Sequence, residues 1–444
     1  MKATIAASIA SRVSYFRQIQ GVRYKSGAVA VLVLLCGGCQ LTDMARFSYD
    51  NATSSYSWNT QAKETTVPFT LIDNHIIVPV RINDSEPMNF VLDSGAGANL
   101  ILESRNTRPL GLPSSGQITV SGVGTGPHPI AHIIRDTTLT LGTLQMEGQS
   151  VIQLPLDSVP FFTETDDVYF DGVVGAPFFQ RFTVTIDYER QLVTFSELSA
   201  VVGGEIPGKG WQAIPLQIEG GVPYLTAQVT NDQGTAVEVK LLVDTGARGS
   251  VSLTPASHAE LHAPQLYFSR VDQGISGDVE SRVAMSESLL LGSYQLDSLP
   301  VDYAMSGGES ENSSNGILGN ETLSRFNLIF DYANERILLK PNQRFAEPMF
   351  ADRSGLLLRP HRLGSIVRHI APDSGAASSS LQTGDIITSF DASPVTELTV
   401  GELKRALSSE APLVHLCWRS GTQAQCEDVV LADRFRRHAT AEEG

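Results

Sequence analysis

The chain has 444 residues, 42% hydrophobic and 18% charged, which suits two to four packed domains and excludes wholesale disorder. Its net charge of −16 and pI of about 5.0 argue against nucleic acid or an anionic membrane surface as a partner. No basic stripe interleaved with aromatics offsets that charge.

In chain order, residues 1–38 read as an export signal. Arg12, Arg17, Arg23 and Lys25 precede the apolar run Gly27 to Leu35, which is shorter than the about 20 residues of a transmembrane helix. The run ends Cys36-Gly37-Gly38-Cys39, which resembles a bacterial lipobox with Cys39 as the lipidated residue, except that Cys36 stands where Leu, Val or Ile is usual. Ordinary signal cleavage and a short uncleaved anchor are the alternatives. Residues 39–65 are polar and without apolar period, so they are expected to form a flexible tether.

Two stretches organise the chain beyond residue 65. Phe90-Val91-Leu92-Asp93-Ser94-Gly95-Ala96 and Leu241-Leu242-Val243-Asp244-Thr245-Gly246-Ala247 are each an apolar strand pattern ending in Asp, a small hydroxyl residue and Gly. A single Asp-Ser/Thr-Gly also makes an ordinary Asx turn, but these two stand in matched surroundings. Asp171-Gly172-Val173-Val174-Gly175 follows the first, and Asn315-Gly316-Ile317-Leu318-Gly319 the second. Gly172 to Asp187 and Gly316 to Asp331 both span 15 positions, with Arg181-Phe182 matching Arg325-Phe326 and Asp187-Tyr188 matching Asp331-Tyr332. A period near 150 residues is too long for a solenoid and reads as a duplicated domain, with lobes at 66–200 and 201–343. Gly122-Val123-Gly124-Thr125-Gly126 resembles a phosphate loop only superficially, since no Gly-Lys-Ser/Thr follows. The nine His form no metal-spaced cluster, and there is no Gly-x-Ser-x-Gly elbow. Thr254-Pro255 marks the start of a short helix in the second lobe.

At these residues the chain resembles the aspartic proteases, specifically two retropepsin-like halves fused in one polypeptide, over about residues 66–341. The resemblance implies a mainly β fold of two homologous lobes around a central cleft. It implies Asp93 and Asp244 as a catalytic dyad sharing one proton, with Ser94, Gly95, Thr245 and Gly246 forming the loops and the hydroxyls bonding across the lobes. It implies that Val173, Val174, Gly175, Ile317, Leu318 and Gly319 thread beneath those loops as supports. It implies flaps over the substrate at Gly122, Val123 and Gly124 and at Gly274, Ile275, Ser276 and Gly277. Protein or peptide substrates, no metal and no organic cofactor are expected, and one chain suffices for activity.

From residue 344 to 436 the composition changes. Leu381-Gln382-Thr383-Gly384-Asp385-Ile386-Ile387 resembles the corresponding turn of bacterial PDZ domains, which implies an α+β module. Thr399-Val400-Gly401-Glu402 is a capping box, and Leu403 and Leu407 give the following helix an apolar stripe. The family's carboxylate-binding loop falls on Ser354-Gly355-Leu356-Leu357, which keeps only part of the usual Gly-Leu-Gly-Phe type. Peptide binding and a rigid packing module are the two readings. Cys417 and Cys426 flank a hairpin turn, where facing positions lie within disulfide range, although two buried thiols are the alternative. Residues 437–444 read as a tail.

The combined expectation is a membrane-tethered aspartic endopeptidase on the periplasmic side of the cell envelope, with Gln40 resembling the outer-membrane sorting pattern. The competing class is an inactive envelope scaffold that binds peptides with its lobes and PDZ-like module.

Overall fold

A computed structural model describes residues 42–159, 168–198, 206–231, 233–308, 314–398 and 400–437. The export signal, Cys39, Thr399 and residues 438–444 lie outside them. The chain divides into two units, residues 1–46 and 47–444. In the first, residues 42–46 are helical. Among the described residues no helix is long and apolar enough to cross a membrane.

The second unit is built from β-sheet, as the alternating strand patterns predict. Each lobe has a nine-stranded sheet, and a six-stranded sheet joins the two. Its centre is the antiparallel pair Phe182–Asp187 and Phe326–Asp331, with Thr185 facing Ile329. Leu192–Glu197 and then Glu64–Pro68 extend it on one side, and Arg336–Pro341 and then Gln212–Pro215 on the other. Matched strands therefore sit symmetrically about the central pair. Phe182, Val184, Ile186, Phe326, Leu328 and Phe330 are all fully buried in the core that runs through both lobes.

Within each lobe the strand before the aspartate pairs in parallel with the short apolar strand read as its support. Val91 faces Val173, and Leu242 faces Ile317. The same supports pair antiparallel with Leu100–Leu102 and Val251–Leu253. Val173, Val174 and Leu318 are buried and Ile317 is half-buried, which suits the continuous apolar runs the sequence supplies. Pro255–Ser257 forms only a single 3-10 turn after Thr254.

The expected tether is a correction. Residues 47–53 are helical, Ser55–Trp58 pairs with Leu144–Glu147, and Glu64–Pro68 joins the sheet between the lobes. Polar contacts hold this segment. Asn51 exchanges two hydrogen bonds with the Ser150 backbone (2.9 and 3.0 Å), Asp50 pairs with Arg135, and the Arg181 guanidinium donates to the carbonyls of Asn51 and Ser54. Tyr56 and Trp58 then pack edge-on against Phe182.

The C-terminal module has its own core around Trp418, Leu358, Leu403 and Leu407. Strands Leu356–His361, Gly364–Ile370, Ile386–Phe390, Leu413–Ser420 and Gln423–Val430 lie in that order, with helix Val400–Leu407 beside them. Its boundary falls later than residue 344, because Phe345 packs edge-on against Phe326 at 5.2 Å and Met349 joins the core of the lobes. The expected tail begins in a strand, Arg436–Arg437, which pairs with Leu266 and Tyr267. Cys417 and Cys426 face each other across the last hairpin and are disulfide-bonded. His415 lies near these two sulfurs in the described residues' only group with metal-ligand spacing, but the sulfurs are bonded to each other.

Candidate active site

The two Asp-Ser/Thr-Gly-Ala loops meet between the lobes. In each, the aspartate curls its carboxylate back onto its own loop. Asp93 Oδ1 accepts from the amides of Gly95 (2.8 Å) and Ala96 (3.0 Å), and Asp244 Oδ1 accepts from Gly246 (2.8 Å) and Ala247 (3.0 Å). The loops are tied to each other by a reciprocal set of bonds. The Ser94 amide donates to Thr245 Oγ1 (3.0 Å) and the Thr245 amide to Ser94 Oγ (3.1 Å). The Ser94 hydroxyl then donates to the Val243 carbonyl (2.6 Å), and the Thr245 hydroxyl to the Leu92 carbonyl (2.8 Å). Both hydroxyl residues are fully buried, so each of these bonds also avoids an unsatisfied polar group.

Beneath the loops, the Val174 carbonyl accepts from the Asp93 amide and the Leu318 carbonyl from the Asp244 amide, at 2.9 and 3.0 Å. Gly175 and Gly319 follow, where an added Cβ would stand 2.5 Å from the Ala98 carbonyl and 2.3 Å from the Gly249 carbonyl. Only glycine lets the supports pass so close.

Burial pushes the Asp93 carboxyl above its usual range, although bonds from Asp244, Gly95 and Ala96 favour its charged form. Burial, and then the charge of Asp93, push Asp244 well above that range. Both are half-buried, and the surrounding protein desolvates their charged forms. Two carboxyls so placed cannot both ionise readily, so the pair retains one proton to higher pH than either would alone. Each loop glycine is followed by alanine, Ala96 and Ala247, whose amides reach the carboxylate but which bring no hydroxyl. Ala96→Thr with Ala247→Thr adds two donors to the charged form. The kcat/KM profile of that double mutant is expected to move to lower pH by about one unit. An unmoved profile, or wild-type activity confined to strongly acidic pH, would show the argument wrong.

The expected flaps also meet, and they differ in build. The second is a hairpin of Leu266–Gly274 and Gly277–Leu291 with Ile275 and Ser276 at its tip. The first is a loop between Ser114–Thr119 and Ile130–Leu141. Ser276 N–H donates to the Val123 carbonyl (3.0 Å) and Gly126 N–H to the Ser276 carbonyl (2.5 Å), while His128 Nδ1 lies 2.9 Å from Ser276 Oγ. A Cβ on Gly122 would stand 2.0 Å from Ile275 Cγ2, and one on Gly274 2.3 Å from the Val123 carbonyl. The tips are therefore closed on each other. Below them Ile275 joins an apolar cluster with Ala96, Ala98, Ile118 and Val120.

Sequence reasoning missed a charged cluster behind the second loop. Arg248 bridges Asp73 (2.8 Å) and Asp272 (3.0 Å). The C-terminal module contributes Lys404, paired with Asp73, and Arg359, 3.2 Å from Asp272. Burial alone would raise the Asp73 and Asp272 carboxyls, but the surrounding cations hold both far below the usual range. Lys404 is about a third open, and it faces a cavity of about 680 Å³ between this cluster and the module. That cavity lies behind the Asp244 loop and not between the aspartates. The predicted loop Ser354-Gly355-Leu356-Leu357 borders it with Gly355, Leu356 and Leu357. The Ser354 and Gly355 amides, however, already donate to the Asp352 carboxylate at 3.1 and 2.8 Å.

No curated protein matches the chain. Residues 78–178, which include Asp93, the first expected flap and the strand Gly172–Val174, match a family model described as aspartyl protease, and this supports aspartic protease activity in general.

Proposed function

We propose that the chain is a single-chain aspartic endopeptidase. The observation that carries this reading is the symmetric seating of Asp93 and Asp244, each held by two loop amides and the two loops locked by Ser94 and Thr245. The ionised carboxylate takes a proton from water, and the resulting hydroxide attacks the peptide carbonyl carbon. The protonated carboxyl donates to the carbonyl oxygen and stabilises the tetrahedral intermediate. Collapse of that intermediate breaks the C–N bond as the nitrogen takes up the proton that the carboxylate drew from water, which returns the pair to its singly protonated state. The apolar cluster beside Ala96 and Ala98 favours apolar side chains next to the scissile bond. The deciding experiment is a cleavage profile of a peptide library with wild type and Asp93→Asn side by side. If wild type cleaves nothing while the dyad loops remain ordered, the peptide-binding scaffold is the better reading.

The C-terminal module is read as PDZ-like, holding extended peptide along the edge strand Leu356–His361 opposite helix Val400–Leu407. Because Asp352 occupies two amides of the loop that would seat a terminal carboxylate, internal segments suit this groove better than chain ends. The export signal and Cys39 further suggest a lipid anchor facing the periplasm. Cys39→Ala is expected to release the protein from membranes or block its processing. Unchanged membrane fractionation at unchanged mass would rule the anchor out.

A further inference from the structure

The two halves of the site are not equal. In lobe 1, Ile77 faces Val91, two residues before Asp93; in lobe 2, Tyr224 faces Leu242, two residues before Asp244. This register places Asp73, Asn74 and His75 opposite Gly220, Gly221 and Val222 in the repeat. Both turns use left-handed backbone, with φ of 50° and 64° at Asp73 and Asn74, and 61° and 94° at Gly220 and Gly221. Glycine adopts that conformation without steric cost, whereas Asp and Asn only tolerate it. At the two left-handed positions lobe 1 thus keeps side chains where lobe 2 has none, and at the next it has a histidine in place of a valine.

Those side chains all grip the second catalytic loop. Asp73 pairs with Arg248, four residues past Asp244; the corresponding residue past Asp93 is Gly97. Asn74 Nδ2 donates to the Arg248 carbonyl (2.9 Å), and the Asn74 carbonyl accepts from Asn320 Nδ2 (2.5 Å). His75 Nε2 lies 2.8 Å from the Gly246 carbonyl, so it must carry the proton and donate. Nδ1 then accepts from the Tyr169 hydroxyl at 2.5 Å. Burial, with Arg248 adding to it, lowers the His75 pKa to about 3, so the ring is neutral and has only this one proton to give. The peptide that receives it joins Gly246 to Ala247, whose amide donates to Asp244 Oδ1. A bond to the carbonyl polarises that peptide and strengthens its N–H as a donor.

We propose that the turn Asp73-Asn74-His75 is a clamp that positions the second catalytic loop from the opposite lobe, and that the C-terminal module keeps it in register through Lys404. His75, Asn74 and Asp73 are positioning residues, since they reach Asp244 only through its loop. The proposal rests on the aspartic peptidase reading for its kinetic consequence but not for its structural one.

The test pairs kinetics with amide hydrogen exchange on the full chain. His75→Val and Asn74→Gly convert lobe 1 to the lobe 2 pattern, and His75→Gln keeps a donor near the Nε2 position. His75→Val and Asn74→Gly are expected to lower kcat by about 10- to 100-fold with little change in KM, and His75→Gln to recover most of the loss. Lys404→Met is expected to act in the same direction and to be less than additive with Asn74→Gly. Exchange protection should fall across residues 245–249 and stay unchanged across 94–98 in each impaired variant. The exchange result is read without substrate, so it judges the clamp even if no substrate is cleaved. Equal loss of protection in both loops, full activity in Asn74→Gly, or a His75→Gln variant as impaired as His75→Val would overturn the proposal. Should His75→Val fail to fold, the same outcomes are read from Asn74→Gly and Lys404→Met.

Discussion

Asp93→Asn and Asp244→Asn are each expected to lower kcat by about 10⁴-fold or more while leaving the fold intact. The fold should survive because the asparagine carbonyl oxygen can keep both loop bonds, from Gly95 and Ala96 in one case and from Gly246 and Ala247 in the other. Activity should not survive, because a carboxamide can neither lose a proton to become a base nor exchange one with its neighbour. The double mutant should be no worse than either single one, since the two groups act as a unit. Stability offers an independent check. Burial disfavours two charges at this site, and an asparagine Nδ2 could donate to the remaining carboxylate. The thermal midpoint at neutral pH should therefore stay level or rise. Library cleavage followed by mass spectrometry, with calorimetry on the same samples, checks both. Turnover above background in either single mutant would sink the dyad.

Much of this candidate site was legible because its loop geometry needs contiguous residues. Asp93-Ser94-Gly95 and Asp244-Thr245-Gly246 cannot be scattered along the chain, since the carboxylate bonds to amides two and three positions ahead. The strands at Val173-Val174-Gly175 and Ile317-Leu318-Gly319 were legible for a related reason: a largely buried central strand reads as an apolar run, and the glycine marks close backbone approach. The expected tether failed because Asn51, Asp50 and Arg181 anchor that segment with polar bonds, which leave no hydrophobic period to detect. The charged cluster was hidden by distance. Lys404 and Asp73 are 331 positions apart, and a lone lysine on a short helix looks like solvated surface. The clamp, by contrast, left a readable trace. Once the lobes are aligned, Asp73-Asn74 stands where Gly220-Gly221 would serve, and a departure from glycine at a left-handed turn asks for a reason.

Replacing either loop glycine with alanine should disable the site by a different route. A Cβ on Gly246 would stand 2.4 Å from Asp93 Cγ, and one on Gly95 2.6 Å from Asp244 Cγ. The opposing carboxylate cannot swing away cheaply, because two amides of its own loop pin it. Gly246→Ala is thus expected to displace Asp93 and to lower kcat by about 10²-fold or more, since ångström-scale misplacement of a reacting group suffices for that. Overpacking should also cost about 1–3 kcal/mol of stability. Gly148→Ala is the control: its Cβ would meet nothing within 4 Å, but its φ of 65° makes alanine strained there too. That variant should lose stability of about 1 kcal/mol and keep its kcat. A second variant separates the clash from general damage to the loop. In an Asp93→Ala background the carboxyl that Gly246→Ala would strike is gone, so the added methyl should cost much less stability there than in wild type. Equal costs in the two backgrounds would mean that the glycine is needed for backbone reasons alone, and that the close approach of each loop to the opposite aspartate is not what selects it.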